Sequence, residues 1–141
     1  MDVVNGRTLI AGAAVGPLLR LTHPISFWGG VDPVTGRIVD PRHPQFGASI
    51  GGTVLAVPSA VGSSSSSAIM LELLREGSAP AAILMGKPDA ILALGVVVGR
   101  ELGYATIPVV EVSPSDLASF RDGAVIEVDA EGRVFERVGP E

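Results

Sequence analysis

Residues 53–85 decide the fold: TVLAV (53–57), PSAVGSSSSS (58–67), AIMLELLREG (68–77), SAPAAILM (78–85). Thr53–Val57 is a short, β-rich apolar run stopped by Pro58, which suits a buried strand. Ala68–Arg75 repeats apolar residues at helical spacing, and Gly77 fits its stop. Ala81–Met85 reads as the next buried strand. A strand, a glycine- and serine-containing loop, a helix and a second apolar strand form a β-α-β unit, which predicts parallel strands and a right-handed crossover.

Downstream the pattern continues. Asp89–Leu102 reads as a helix, with Asp89 at its positive dipole end and Gly103 at its stop. Ile107–Val112 is a further buried strand. Ser115–Phe120 is a short helix, with Ser113 or Ser115 as N-cap and Pro114 near its first position. Ala124–Val128 and Arg133–Val138 alternate around Glu131-Gly132, a hairpin signal. Upstream, Arg7–Ile10 and Pro17–Leu21 read as short strands around a Gly/Ala-rich bend. Phe27–Thr35 is rich in turn residues, Arg37–Val39 reads as a short strand, and Pro41–Gly47 is irregular because of its two prolines. The whole is an α/β chain, a three-layer β/β/α arrangement, expected to form one domain over residues 1–141.

The 141 residues carry a net charge of −5 and are 47% hydrophobic but only 4% aromatic. The core must therefore be built from Val, Ile, Leu and Ala. There is no Lys/Arg cluster of the kind a nucleic-acid backbone requires, so no nucleic-acid role is expected. Mean hydropathy is high, +0.46, yet the longest apolar run, Ala90–Gly99, is closed by Arg100 and Glu101 and is far short of the roughly 20 residues of a membrane span. The N-terminal MDVVNGR lacks the layout of a signal peptide, and a cytoplasmic protein is expected. High apolar content with few charges points to a surface covered by a partner. Without cysteine the chain offers no disulfide, no thiolate nucleophile and no ligand set for an iron–sulfur cluster of its own. His23 and His43 each precede a proline and have no partner at metal-ligand spacing, so no metal site is expected.

The segment that could carry chemistry is Pro58–Ser67. It lies where a buried strand turns into a helix, at the carboxyl end where α/β proteins place ligands. The helix's first amides have no internal partners and point, with the dipole, at the loop. Gly62 permits close backbone approach, and Ser63, Ser64, Ser65, Ser66 and Ser67 add neutral donors. Together they suit a carboxylate or phosphate. The competing reading is a serine-rich cap that only starts the helix. One serine suffices for a cap, whereas five in a row cost helix propensity, roughly half a kcal/mol each against alanine. A Walker loop would need Gly-Lys before the hydroxyl, and a nucleophile elbow would need Gly-x-Ser-x-Gly; neither spelling is present.

The elements Ile25-Ser-Phe-Trp-Gly-Gly-Val-Asp-Pro-Val-Thr-Gly36, His43-Pro-Gln-Phe-Gly47, Pro58…Gly62-Ser63, Ala79-Pro-Ala-Ala-Ile83 and Leu92-Ala-Leu-Gly95 follow one another at a distinctive spacing. In this the chain resembles the small part of aconitase X enzymes, over roughly residues 5–112. The resemblance implies a swivelling β/β/α domain, like the small domain of aconitase, that closes over a much larger part. That larger part, here a separate large subunit forming a heterodimer with this chain, carries the iron–sulfur cluster, and this chain binds no cofactor. The implied reaction is a dehydration by a hydro-lyase, of cis-3-hydroxy-L-proline or of mevalonate 5-phosphate. The Ser-Phe-Trp-Gly-Gly and His-Pro-Gln spellings look more like the hydroxyproline enzymes.

The resemblance makes Ser63 the catalytic base, with Gly62 and Ser64–Ser67 shaping the substrate's anion site. A hydroxyl is a weak base, so the role requires an alkoxide or a shared proton, with negative charge stabilised by the helix N-terminus. One departure stands out. The family usually has a basic residue just before this glycine, and here it is Val61. Either the partner supplies the charge, the substrate differs, or the ancestral activity has been lost. Gly29, Gly30, Asp32 and Pro33 read as a structural turn, His43 as a loop residue, Trp28 as an interface residue, and Ser26 as a further side chain that could face the site. A non-catalytic anion-binding or regulatory module and a self-assembling structural protein are the competing functions.

Overall fold

The computed structural model describes residues 3–58 and 65–137. Its strands are β1 (Val3–Asn5), β2 (Arg7–Ile10), β3 (Ala14–Arg20), β4 (Val54–Val57), β5 (Ala82–Met85), β6 (Val109–Glu111), β7 (Val125–Val128) and β8 (Arg133–Glu136). Its helical segments are α1 (Phe27–Gly30), α2 (Ser66–Glu76), α3 (Ala90–Glu101) and α4 (Pro114–Ser119).

The strand order is β1-β8-β7-β3-β4-β5-β6-β2. Strands β3, β4, β5 and β6 run parallel, as the β-α-β reading predicts. The remaining pairings are antiparallel, including the β7–β8 hairpin. Strand β3 belongs to both halves: Ala14–Pro17 pair with β7, and Leu18–Arg20 pair with β4. It therefore starts earlier than the expected Pro17.

Strands β1 and β2 lie at opposite ends of the order although only Gly6 separates them in sequence. The two ends of the ribbon are thus brought together at Gly6, whose N–H donates to Gly132 O at 3.0 Å. A Cβ there would collide with Val110, so glycine is required by close approach.

The three layers follow from the two-residue period of the strands. On β4 and β5, Val54, Ala56, Ala82 and Leu84 face one core, shared with Leu18, Val110, Ile126, Val128 and Val134 of the neighbouring strands. Leu55, Val57, Ile83 and Met85 face the other, shared with Ile69, Met70 and Leu73 of α2 and Leu92 and Val96 of α3. The antiparallel sheet, the parallel sheet and the helices form the expected β/β/α stack. Both faces of the central strands are covered, which is why they read as unbroken apolar runs.

Two local expectations need correction, and one strand was not expected. Arg37–Val39 forms only isolated bridges, Val31 with Ile38 and Arg37 with Ser49; Gly36, at φ +73°, turns the chain just before it. The strand expected over 107–112 is limited to Val109–Glu111. The sequence reading also passes over β1, a three-residue strand whose partner β8 lies some 130 residues away. So short a run has no local signature.

Candidate active site

Strand β4 delivers the chain to Pro58, and helix α2 receives it at Ser65, its N-cap. Gly62, Ser63 and Ser64, with Val61, lie outside the described residues. What can be placed is the frame that holds this loop at both ends.

At the near end, Gly86 N–H donates to Val57 O at 2.9 Å, and a Cβ on Gly86 would lie 2.8 Å from Pro58 O. The loop after β5 is thus pressed against the start of the serine loop. At the far end, Ser65 and Ser67 are half-buried while Ser66 is fully buried. Ser66 lies on the same helix stripe as Ile69, Met70 and Leu73. Its Oγ has no hydrogen-bond partner among the described residues. The serines are therefore not equivalent donors. The three-residue and four-residue spacing from Ser66 to Ile69 and Met70 is the signal that sets it apart. A helix begun at Ala68 leaves Ser66 off that stripe, so sequence reasoning names Ser66 only as one of five equivalent donors.

Helix α3 fixes the position of this first turn. A Cβ on Gly95 would lie 2.5 Å from Ser67 O, so the two helices touch backbone to backbone there. Asp89 caps α3, its Oδ1 accepting from Ile91 N at 3.0 Å and Leu92 N at 3.2 Å. Its other oxygen is buried without a partner among the described residues.

Beside Pro58 is a hollow of about 300 Å³, lined by Arg20, Thr22, Ala56, Pro58, Pro114 and Leu117 among others. Space of this order can take a small acid. The guanidinium of Arg20 donates to the carbonyls of Leu117 and Phe120, which ties it to the end of α4. Helix α4 itself is capped by Ser113, whose Oγ accepts from Asp116 N.

Of the other residues singled out from sequence, His43 lies near this edge, next to Gln45, which bonds Arg20 and Thr22, whereas Pro33 meets Ser78 beyond the far end of α2. His43 is buried and structural: its Nδ1 accepts from Gln45 N at 3.0 Å, which leaves Nε2 to donate to His23 O at 3.3 Å. Gln45 in turn bridges Arg20 O and Thr22 N. The two histidine rings are 6.3 Å apart, close despite their separation in sequence. Among the described residues no group of three His, Cys, Asp or Glu side chains could hold a metal ion. Asp32 closes a turn by accepting from Val34 N, and Ser78 Oγ donates to Pro33 O, as a structural turn requires. Ser26 Oγ donates to Trp28 O. Trp28 is 61% exposed beside a hollow it shares with Ser26, Asp40 and Arg42.

A three-layer swivelling domain with its serine loop at the carboxyl edge of the parallel strands defines the class. The model of the aconitase X swivel domain matches residues 3–136, and the chain belongs to that family. It is 48% identical over 103 residues to the cis-3-hydroxy-L-proline dehydratase of Pseudomonas aeruginosa, covering 73% of this chain and 18% of that protein. The chain therefore spans about a fifth of that relative's length. It is 39% identical over 133 residues to the phosphomevalonate dehydratase small subunit of Methanothermobacter thermautotrophicus, covering 93% of this chain and 97% of that one. Among solved structures, the aconitase X of Thermococcus kodakaraensis in its holo-form superimposes with a TM-score of 0.86 at 32% identity, covering 98% of this chain and all of that one.

Proposed function

We propose that this chain is one swivelling domain, the small subunit of an aconitase X type hydro-lyase, which removes water from a hydroxy acid together with a separate large subunit. The observation that carries this reading is the match to whole small subunits along nearly their full length, together with the shared fold. The substrate is cis-3-hydroxy-L-proline; the 48% identity to a hydroxyproline dehydratase supports it. Mevalonate 5-phosphate is the second reading, supported by the small-subunit relatives named for that substrate.

Ser63 removes the proton α to the substrate carboxylate. Gly62 and Ser64–Ser67 give the carboxylate and the developing charge their donors, at the positive end of α2. Such a base works only where donors are fixed in advance and water is excluded, so closure of this domain on its partner is part of the chemistry.

The iron–sulfur cluster belongs to the partner. Without cysteine and without a ligand cluster among the described residues, this chain does not fit such a group. No helix among the described residues is long and apolar enough to cross a membrane. A cytoplasmic enzyme that acts on a small hydroxy acid, and not on membrane or nucleic acid, is part of the same proposal.

The test is co-expression with the large subunit of the same genome. A stable one-to-one complex that dehydrates cis-3-hydroxy-L-proline in preference to mevalonate 5-phosphate is the expected result. The reverse preference would move the chain to the second reading, and failure to associate would remove the subunit assignment.

A further inference from the structure

We propose that the hollow beside Pro58 is a subsite for the anionic group of the hydroxy acid, held by the guanidinium of Arg20; this rests on the hydro-lyase reading above. The hollow, of about 300 Å³, opens at the carboxyl ends of parallel strands, between the ends of β3 and β4 and the helix α4. Its walls are apolar apart from Arg20 and Thr22. An apolar hollow with a few convergent polar groups at this edge of a sheet is the usual form of a small-ligand site. Arg20 is the one charged residue among those lining it, so the ligand it fits is an anion on a compact carbon body.

The guanidinium is fixed without being used up. Its Nη1 donates to the carbonyls of Leu117 and Phe120 at the end of α4. Among the described residues, Nε and Nη2 have no hydrogen-bond partner, and no carboxylate lies within 4 Å of the group. These two donors share one edge of the planar group, the edge that grips a carboxylate or phosphate through two parallel hydrogen bonds. The backbone beneath is held as well. Arg20 N donates to Asp122 Oδ1 at 2.8 Å, and Arg20 O accepts from Gln45 Nε2 at 2.9 Å. Asp122 thus meets the backbone and makes no ion pair with the guanidinium. Capping α4 is the competing role; it accounts for Nη1 and leaves the other edge without a function. Arg37 and Arg100, the other arginines without a carboxylate partner among the described residues, are exposed, whereas Arg20 is half-buried in the wall of a hollow. A guanidinium anchored on one side and open on the other is preorganised for an incoming acid. It adds a positive charge to the neutral hydroxyls proposed above.

The experiment uses the complex with the large subunit, on cis-3-hydroxy-L-proline and on mevalonate 5-phosphate, and compares wild type with Arg20→Met, Ala118→Glu and Ala118→Gln. Ala118 is exposed and lines the hollow, so Ala118→Glu brings a carboxylate to the open edge of Arg20 without removing a cap, and Ala118→Gln matches its bulk without the charge. The expected result is a KM raised about tenfold or more by Arg20→Met and by Ala118→Glu, the scale of losing a charge-assisted hydrogen bond, with a much smaller change in kcat and with Ala118→Gln close to wild type. Ala118→Glu is expected to keep the melting temperature and the association of wild type. An active complex in which Ala118→Glu and Ala118→Gln have the same KM overturns the subsite and leaves the hydro-lyase reading in place. Arg20→Met that lowers the melting temperature while KM stays at the wild-type value overturns it in favour of the cap. A wild-type complex inactive on both acids overturns both proposals.

Discussion

Ser66 presents opposing demands on one side chain. Its hydroxyl is buried in the first turn of α2 with no partner among the described residues, an arrangement that costs roughly 1–3 kcal/mol. If it is retained for substrate, Ser66→Ala separates stability from function. Chemical denaturation of the isolated chain should then show the variant more stable by about 1 kcal/mol, while turnover in the complex falls. A variant both less stable and fully active would assign Ser66 to packing alone. Gly95 gives a prediction of opposite sign. With Ser67 O only 2.5 Å from where an alanine methyl would sit, Gly95→Ala must push α3 off the first turn of α2. Overpacking of this kind costs roughly 1–3 kcal/mol, measurable as a lower melting temperature. The strand-to-helix position of the serine segment, between β4 and α2, is legible because an apolar run, Pro58 and a helical repeat follow one another in sequence. The contact at Gly95 is not, because two residues 28 apart meet only after both helices pack.

Elements differ in how far local chemistry determines them. Helix α3 is legible to within a residue or two, because Asp89 caps it and Gly103 turns at φ +85° beyond its end. Asp89→Ala should cost about 0.5–2 kcal/mol in thermal or denaturant unfolding. The β7–β8 hairpin is equally legible from Glu131-Gly132, and Asp129 closes it by accepting from the N–H groups of Glu131 and Arg133 and from the Arg133 guanidinium. Partial burial pushes the Asp129 carboxyl up, but these hydrogen bonds outweigh it and hold its pKa below the ordinary value. The hairpin therefore has this contribution in full above the ordinary carboxylate range, and loses it as pH falls through the lowered value. Unfolding of Asp129→Asn should be less pH-dependent than wild type through that range, and the absence of any difference would contradict the assignment. Strand β1 and the failed strand at 37–39 lie beyond local reading, because their pairing depends on distant partners.

At the scale of the molecule, the alternation of β4 and β5 between two cores is what makes the domain. Leu84, fully buried between the sheets, should cost about 2–5 kcal/mol when cut to alanine. Trp28 and Phe46, 61% and 58% exposed, are among the large apolar side chains left at the surface. The nature of the partner comes from the resemblance, since no residue pattern within one subunit specifies the other. The fold and the loop's position can be argued from this chain, whereas the proposed reaction requires the proposed complex. The most direct measurement is therefore water loss from cis-3-hydroxy-L-proline by the cluster-loaded complex, wild type against Ser63→Ala. The account predicts turnover in the first and its loss, by about 10² or more, in the second, with the complex intact. A Ser63→Ala complex that turns over like wild type would contradict it.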